Sequence, residues 1–157
     1  NAYCQDNDIN WLDWASADSD LMATTARLLE LRRAHPLLRP PEFQTFDEVP
    51  GRVRLRWFGP DGEILSEHQW SDPGLRTLVA VLDDRALAES GGAEPHSVMI
   101  AFNGALDSVT VQVPKSNDPS AWRLAWDSSW ERPQEPSPVG DAVELRPCSM
   151  AVLTTQF

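Results

Sequence analysis

The sequence predicts a mainly β chain: an antiparallel β-sandwich preceded by a polar loop and one amphipathic helix. Three observations predict it. About eight short segments either alternate apolar and polar residues or run apolar for a few positions, as in Leu78-Val79-Ala80-Val81-Leu82. Loops rich in Pro and Gly separate them, with no helical period in between, which favours a sandwich over βαβ units. A single helical period stands ahead of them all.

Taken in order, Asn1 to Trp14 are polar with aromatic punctuation and read as an ordered loop. A helix is expected over about 20–34. Asp18 or Ser19 can cap it, and Asp20 places negative charge at the positive dipole end. Leu21, Thr25, Leu28, Leu29 and Arg32 follow helical spacing, the last through its aliphatic stem. Arg32, Arg33 and His35 suit the C-terminal end as cations, and Pro36 stops the helix.

Past Pro40-Pro41 the period becomes two. Val53, Leu55 and Trp57 share one strand face, with Arg54 and Arg56 on the other. Gly59-Pro60-Asp61-Gly62 signals a turn, after which Ile64-Leu65 returns as a hairpin partner. Further strands are expected at 77–82, 98–103, 108–113, 122–126, 143–145 and 150–154. Loops cover 83–96, 114–121 and 127–141, and the Pro-rich 133–138 stretch reads as surface loop. The helix is the odd element. Burying Leu21, Leu28 and Leu29 contributes roughly 5–9 kcal/mol as an upper bound, comparable to a whole domain's stability. The stripe therefore needs a partner, either the sandwich or a body upstream.

Bulk properties narrow the function. At 157 residues the chain holds one domain with a core, plus at most a short appendage. A net charge of -11 opposes nucleic acid and anionic membrane but permits a neutral polymer such as a glucan. No apolar run approaches the ~20 residues of a membrane span. Two cysteines, Cys4 and Cys148, make neither a disulfide framework nor a zinc site, so a reducing cytoplasm is the expected compartment. Asn1 is followed by no leader, which suggests a chain that begins mid-sequence.

Catalytic patterns mostly fail. Asp6 with Asp8, and Asp83 with Asp84, read as solvated surface pairs rather than a glycosidase pair. Asp6, Asp8 and Asn10 match the start of a calcium loop, but Trp11 and Ala17 stand where Gly and Glu are required. Ser97 beside His96 gives no triad geometry, and no metal or cofactor is expected. Seven tryptophans invite a sugar-stacking reading. Trp57, Trp122 and Trp126 sit on strand patterns and read as core, while Trp11 and Trp14 anchor the loop before the helix. Trp130, in a loop, is the best candidate for an exposed sugar platform.

The opening Asn1-Ala2-Tyr3-Cys4-Gln5-Asp6-Asn7-Asp8-Ile9-Asn10-Trp11-Leu12-Asp13-Trp14 closely resembles a segment of bacterial glycogen-debranching enzymes of the isoamylase type, in glycoside hydrolase family 13. Leu28-Leu29-Glu30-Leu31-Arg32-Arg33-Ala34-His35-Pro36 is similar to that family's helix end. Weaker similarity runs through 57–62, 69–73 and the strand ending Phe102-Asn103, with a departure from Leu82 through Gly92.

The resemblance implies that residues 1–40 are the remnant of a (β/α)8 catalytic barrel, with 20–34 as its last helix. Residues 41–157 would be the C-terminal sandwich, packed on that barrel. The catalytic carboxylates would lie upstream, so no catalytic residue is assigned here. The parent would hydrolyse α-1,6 branch linkages of glycogen or limit dextrin, with no cofactor. Loops after barrel strands build the substrate face, so Tyr3, Gln5, Asp6 and Asn7 are candidate glucan-cleft residues, with bracing of the loop as the structural alternative. Two other readings stay open: a debranching enzyme serving trehalose synthesis, and a non-catalytic carbohydrate-binding sandwich dependent on Trp130.

Overall fold

The computed structural model describes residues 3–40, 53–84, 96–114 and 122–155. Helix α1 (Ser19–Ala34) is followed by β1 (Arg54–Phe58), the short helix α2 (Glu67–Trp70), β2 (Thr77–Asp83), β3 (Ser97–Asn103) and β4 (Val109–Gln112). Then come β5 (Arg123–Asp127), β6 (Ser137–Pro138), β7 (Ala142–Leu145) and β8 (Ser149–Thr154). The expected loops at 83–96 and 114–121 fall largely outside the described residues, as do Asn1 and Ala2.

The strands form two antiparallel sheets, ordered β1-β2-β3-β8-β5-β6 and β4-β7. Alternation sorts their side chains into two cores. Val79, Val81, Met99, Ala101, Ala151 and Leu153 face the small sheet, where Val111, Val143 and Leu145 meet them. Leu82, Val98 and Val152 point to the opposite face of the large sheet, under Leu31 and Leu37. In β5 the pairing register shifts between Leu124 and Trp126, which sends both Ala125 and Trp126 to that outer face. The result is the expected sandwich, with a helical layer behind it.

Near β1 the turn forms as the sequence suggests. Gly62 has φ of +78°, and a Cβ there would lie 3.1 Å from the Cβ of Gln112, so both backbone and space call for glycine. The return segment is thinner than expected: Ile64 makes a single bridge to Phe58, and the Leu65 amide donates to the Trp57 carbonyl at 3.0 Å. Two elements differ from expectation. Ser66 and Gln69 form a capping box that starts α2. Within the Pro-rich stretch, Ser137–Pro138 pairs with Leu124 and Arg123 as an edge strand, a place where proline's missing N–H does no harm.

Helix α1 begins at Asp18, whose carboxylate accepts from the amides of Asp20 and Leu21 at 2.9 and 3.0 Å. Arg39 closes the other end, donating to the carbonyls of Arg32 and Arg33 at 3.2 Å each. His35 is the C-cap, but it is buried, and burial first, then the charges of His96 and Arg27, push its imidazole below the usual range. The expected C-terminal cation is therefore corrected: desolvation favours the neutral ring.

The face that α1 turns to the sheet is Asp20, Thr24, Arg27, Leu31 and His35, at helical spacing, and only Leu31 among them is a large apolar residue. The predicted stripe lies on the other side. Leu21 is 63% exposed, Leu29 56% and Leu28 37%, and neighbouring Met22 is open as well. The described residues of the sandwich do not cover it.

Candidate functional site

Two regions carry the residues singled out from the sequence. The first is the segment before α1. Tyr3 and Cys4 adopt positive φ of 52° and 56°, which turns the chain sharply. The Trp11 indole N–H donates to the Asp6 carboxylate at 2.6 Å, and the Asn10 side-chain amide donates to the Gln5 carbonyl. The Asn7 side-chain oxygen accepts from the Ile9 amide at 3.2 Å, and its carbonyl accepts from the amides of Asn10 and Trp11. Asp6 and Asn7 thus brace the loop, whereas the side chains of Tyr3 and Gln5 are exposed. Nearby, the Ser16 hydroxyl, then the Ala15 amide, hold the Asp13 carboxyl below its ordinary range. Trp11, Leu12 and Trp14 are themselves exposed, as are the outward leucines of α1.

The second region is a cleft of about 950 Å3 between the segment after β5 and the β7–β8 corner. Trp130 lines it together with Asp127, Glu131, Arg132, Glu144 and Arg146. Its walls are held by the fold. Asp127 accepts from the Ser129 amide at 2.7 Å, and Ser128 exchanges two 2.9 Å hydrogen bonds with Met150 of β8. Arg132 pairs with Asp20 of α1 at 2.8 Å, tying the loop to the helix. Trp130 is half-buried against the outer core, so it is less open than a free platform. None of Tyr3, Gln5, Asp6 and Asn7 lines this cleft.

The other acidic pair separates by role. Asp83 is buried and receives Arg54 at 3.2 Å and Arg56 at 2.9 Å, while Asp84 meets His96 at 3.4 Å. That arrangement holds the edge of the large sheet and turns Asp83 and Asp84 to different cationic partners. Among the described residues no group of three or more His, Cys, Asp or Glu is placed to hold a metal ion, and no helix is long and apolar enough to cross a membrane. Sequence reasoning missed Glu144 and Arg146 as cleft residues. They meet Trp130 only because the β7–β8 corner lies beside the segment after β5, and no local pattern encodes that.

The family model described as isoamylase, C-terminal, matches residues 54–143, more than half of the chain. A glycogen debranching enzyme of Cronobacter sakazakii is 38% identical over 104 residues, which is 66% of this chain and 15% of that protein. One from Escherichia fergusonii is 41% identical over 102 residues, 65% of this chain and 15% of that protein. One from Serratia proteamaculans is 42% identical over 81 residues, 52% of this chain and 12% of that protein. The stretch matched in the first two is thus about 15% of the length of those relatives.

Proposed function

Because the chain belongs to the isoamylase C-terminal family, we propose that it is the C-terminal part of a bacterial glycogen-debranching enzyme of glycoside hydrolase family 13. The whole enzyme hydrolyses α-1,6 branch linkages of glycogen or limit dextrin in the cytoplasm. Residues 1–40 belong to its catalytic barrel, with α1 as the last barrel helix, and 41–157 are the sandwich. The catalytic carboxylates lie in the barrel, outside these 157 residues. There one carboxylate forms a glycosyl-enzyme and a second acts as acid and then base, with no cofactor.

The observation that carries this reading is the orientation of α1. Its sheet-facing side is mostly polar, while Leu21, Met22, Leu28 and Leu29 face away from the sandwich. Trp11, Leu12 and Trp14, just before the helix, are exposed as well, and large apolar groups left in water in such number are of the kind that marks an interface. On this reading the occupant of that surface is the wall of the catalytic barrel. On the same reading, Tyr3 and Gln5 reach the glucan cleft of the barrel, while Asp6 and Asn7 shape the loop that presents them. In this role the 157 residues act structurally and through loop contacts, not by bond cleavage.

The test is release of reducing ends from a glycogen limit dextrin. The longer protein that ends in this sequence is expected to debranch, and the 157-residue chain is expected to show no activity above background. Debranching by the 157 residues alone would falsify the assignment, as would a longer protein active only on α-1,4 linkages.

A further inference from the structure

The cleft beside Trp130 has a chemistry that the debranching reading does not use. It offers an indole with an apolar face, three carboxylates (Asp127, Glu131, Glu144) and two guanidinium groups (Arg132, Arg146) around about 950 Å3. That volume sits at the upper end of the range of about 300–1,000 Å3 occupied by small-molecule sites. The lining carries charges of both signs, so neither a phosphate nor a free cation finds a field of one sign. A ligand that suits such walls is neutral and dense in hydroxyl groups, each able to donate to a carboxylate and accept from a guanidinium. The indole adds the complement to the apolar face of a sugar ring.

The walls are also fixed in advance. The Ser128–Met150 pair and the Asp127 turn anchor the segment that carries Trp130. Little ordering is left for a ligand to impose, which favours binding. Glu144 and Arg146 approach from the small sheet and the corner that follows it, with side chains exposed to solvent.

We propose that this cleft is a non-catalytic carbohydrate-binding subsite that holds a neutral oligosaccharide on the sandwich itself. Its preference for an α-glucan rests on the debranching reading above; its preference for a neutral polyhydroxyl ligand rests on the cleft alone. A chain bound here is anchored on a surface separate from the N-terminal loop, so a branched polymer can be held at two places.

The test is native electrophoresis of the 157-residue chain through gels containing glycogen, with maltoheptaose as the soluble competitor. The wild-type chain is expected to be retarded and to be released by maltoheptaose. Trp130→Ala is expected to weaken binding roughly tenfold. Because Trp130 also packs against the core, the double variant Glu144→Ala/Arg146→Ala, at exposed positions, provides the second readout and is expected to lose retardation while keeping its circular dichroism. Leu28→Gln/Leu29→Gln, on the open helix face, is expected to remain retarded, which separates cleft binding from general adhesion. Absence of wild-type retardation, or retardation unchanged in the double variant, overturns the subsite. A longer protein that debranches, beside a 157-residue chain whose cleft variants are retarded as the wild type is, overturns the subsite alone. Cleft-dependent binding joined to a longer protein without debranching activity overturns the debranching reading alone.

Discussion

Replacing Leu31 and Leu29 by alanine, one at a time, asks which face of α1 is docked. Leu31 is 3% exposed and packs with Leu37, Leu82, Val98, Trp126 and Val152, so its truncation removes a nearly complete side chain and leaves a cavity. Such a change costs about 2–5 kcal/mol. Leu29 lies on the same helix with more than half its surface in water, and truncation at such sites changes stability by about 0.5 kcal/mol or less. Few large apolar groups hold α1 to the sheet, so the loss at Leu31 falls first on the helix and leaves the sandwich folded. Amide hydrogen exchange read by mass spectrometry resolves this. Leu31→Ala is expected to accelerate exchange across α1 by about 30-fold or more, up to full release of the helix, with β2, β3 and β8 protected as before. Leu29→Ala is expected to leave α1 exchange within about threefold of wild type. Equal acceleration by the two variants, or none from Leu31→Ala, would refute the docking described here and remove the argument that the outward stripe awaits another body.

Two further outcomes follow from buried polar groups. His35 is held below its ordinary range by burial, so between the two values the unfolded chain binds a proton that the folded chain refuses. Stability therefore rises with pH: the contribution is complete above the unfolded value of about 6.5 and is lost as pH falls through it toward the lower folded value. Urea midpoints at about pH 7.5 and about pH 5.5 check this, and His35→Gln is expected to flatten the difference. Asp83 accepts from both Arg54 and Arg56 while itself buried, so Asp83→Asn is expected to cost about 3 kcal/mol in denaturant unfolding, the low end for breaking a buried pair because both arginines keep some solvent. A midpoint within error of wild type would show that the ion pair does not hold the β1–β2 edge.

Much of this architecture can be read from residue order because local rules and the fold agree. Val109, Val111 and Val113 against Thr110 and Gln112 predict a half-buried strand, and β4 forms there. Pro36 ends α1 where proline must, and the turn at 59–62 uses Gly62 at positive φ. Helix α2 escaped notice although Ser66 and Gln69 carry its capping pattern, because four residues give no period to detect. Ser137–Pro138 escaped because proline argues against a strand, and only its position on the sheet edge makes one possible.

The candidate site was less legible. The N-terminal loop residues stand together because they are consecutive, yet their hydrogen bonds separate Asp6 and Asn7, which brace, from Tyr3 and Gln5, which are exposed. Trp130 was found as a loop aromatic, but its companions Glu144 and Arg146 come from another part of the chain, so no spacing announces them.

By itself, the order of residues determined most of the strand segments, the extent of α1, its apolar stripe and the chain's family resemblance. Period, caps and turn residues act over a few positions, so one chain suffices to read them. Tertiary structure alone decided that α1 rests on the sheet through Leu31 beside Thr24, Arg27 and His35, that Asp83 is clasped by two arginines, and that a mixed-charge cleft surrounds Trp130. Amphipathicity states which helix face avoids water, but the partner that meets each face is set by packing between segments far apart in the chain.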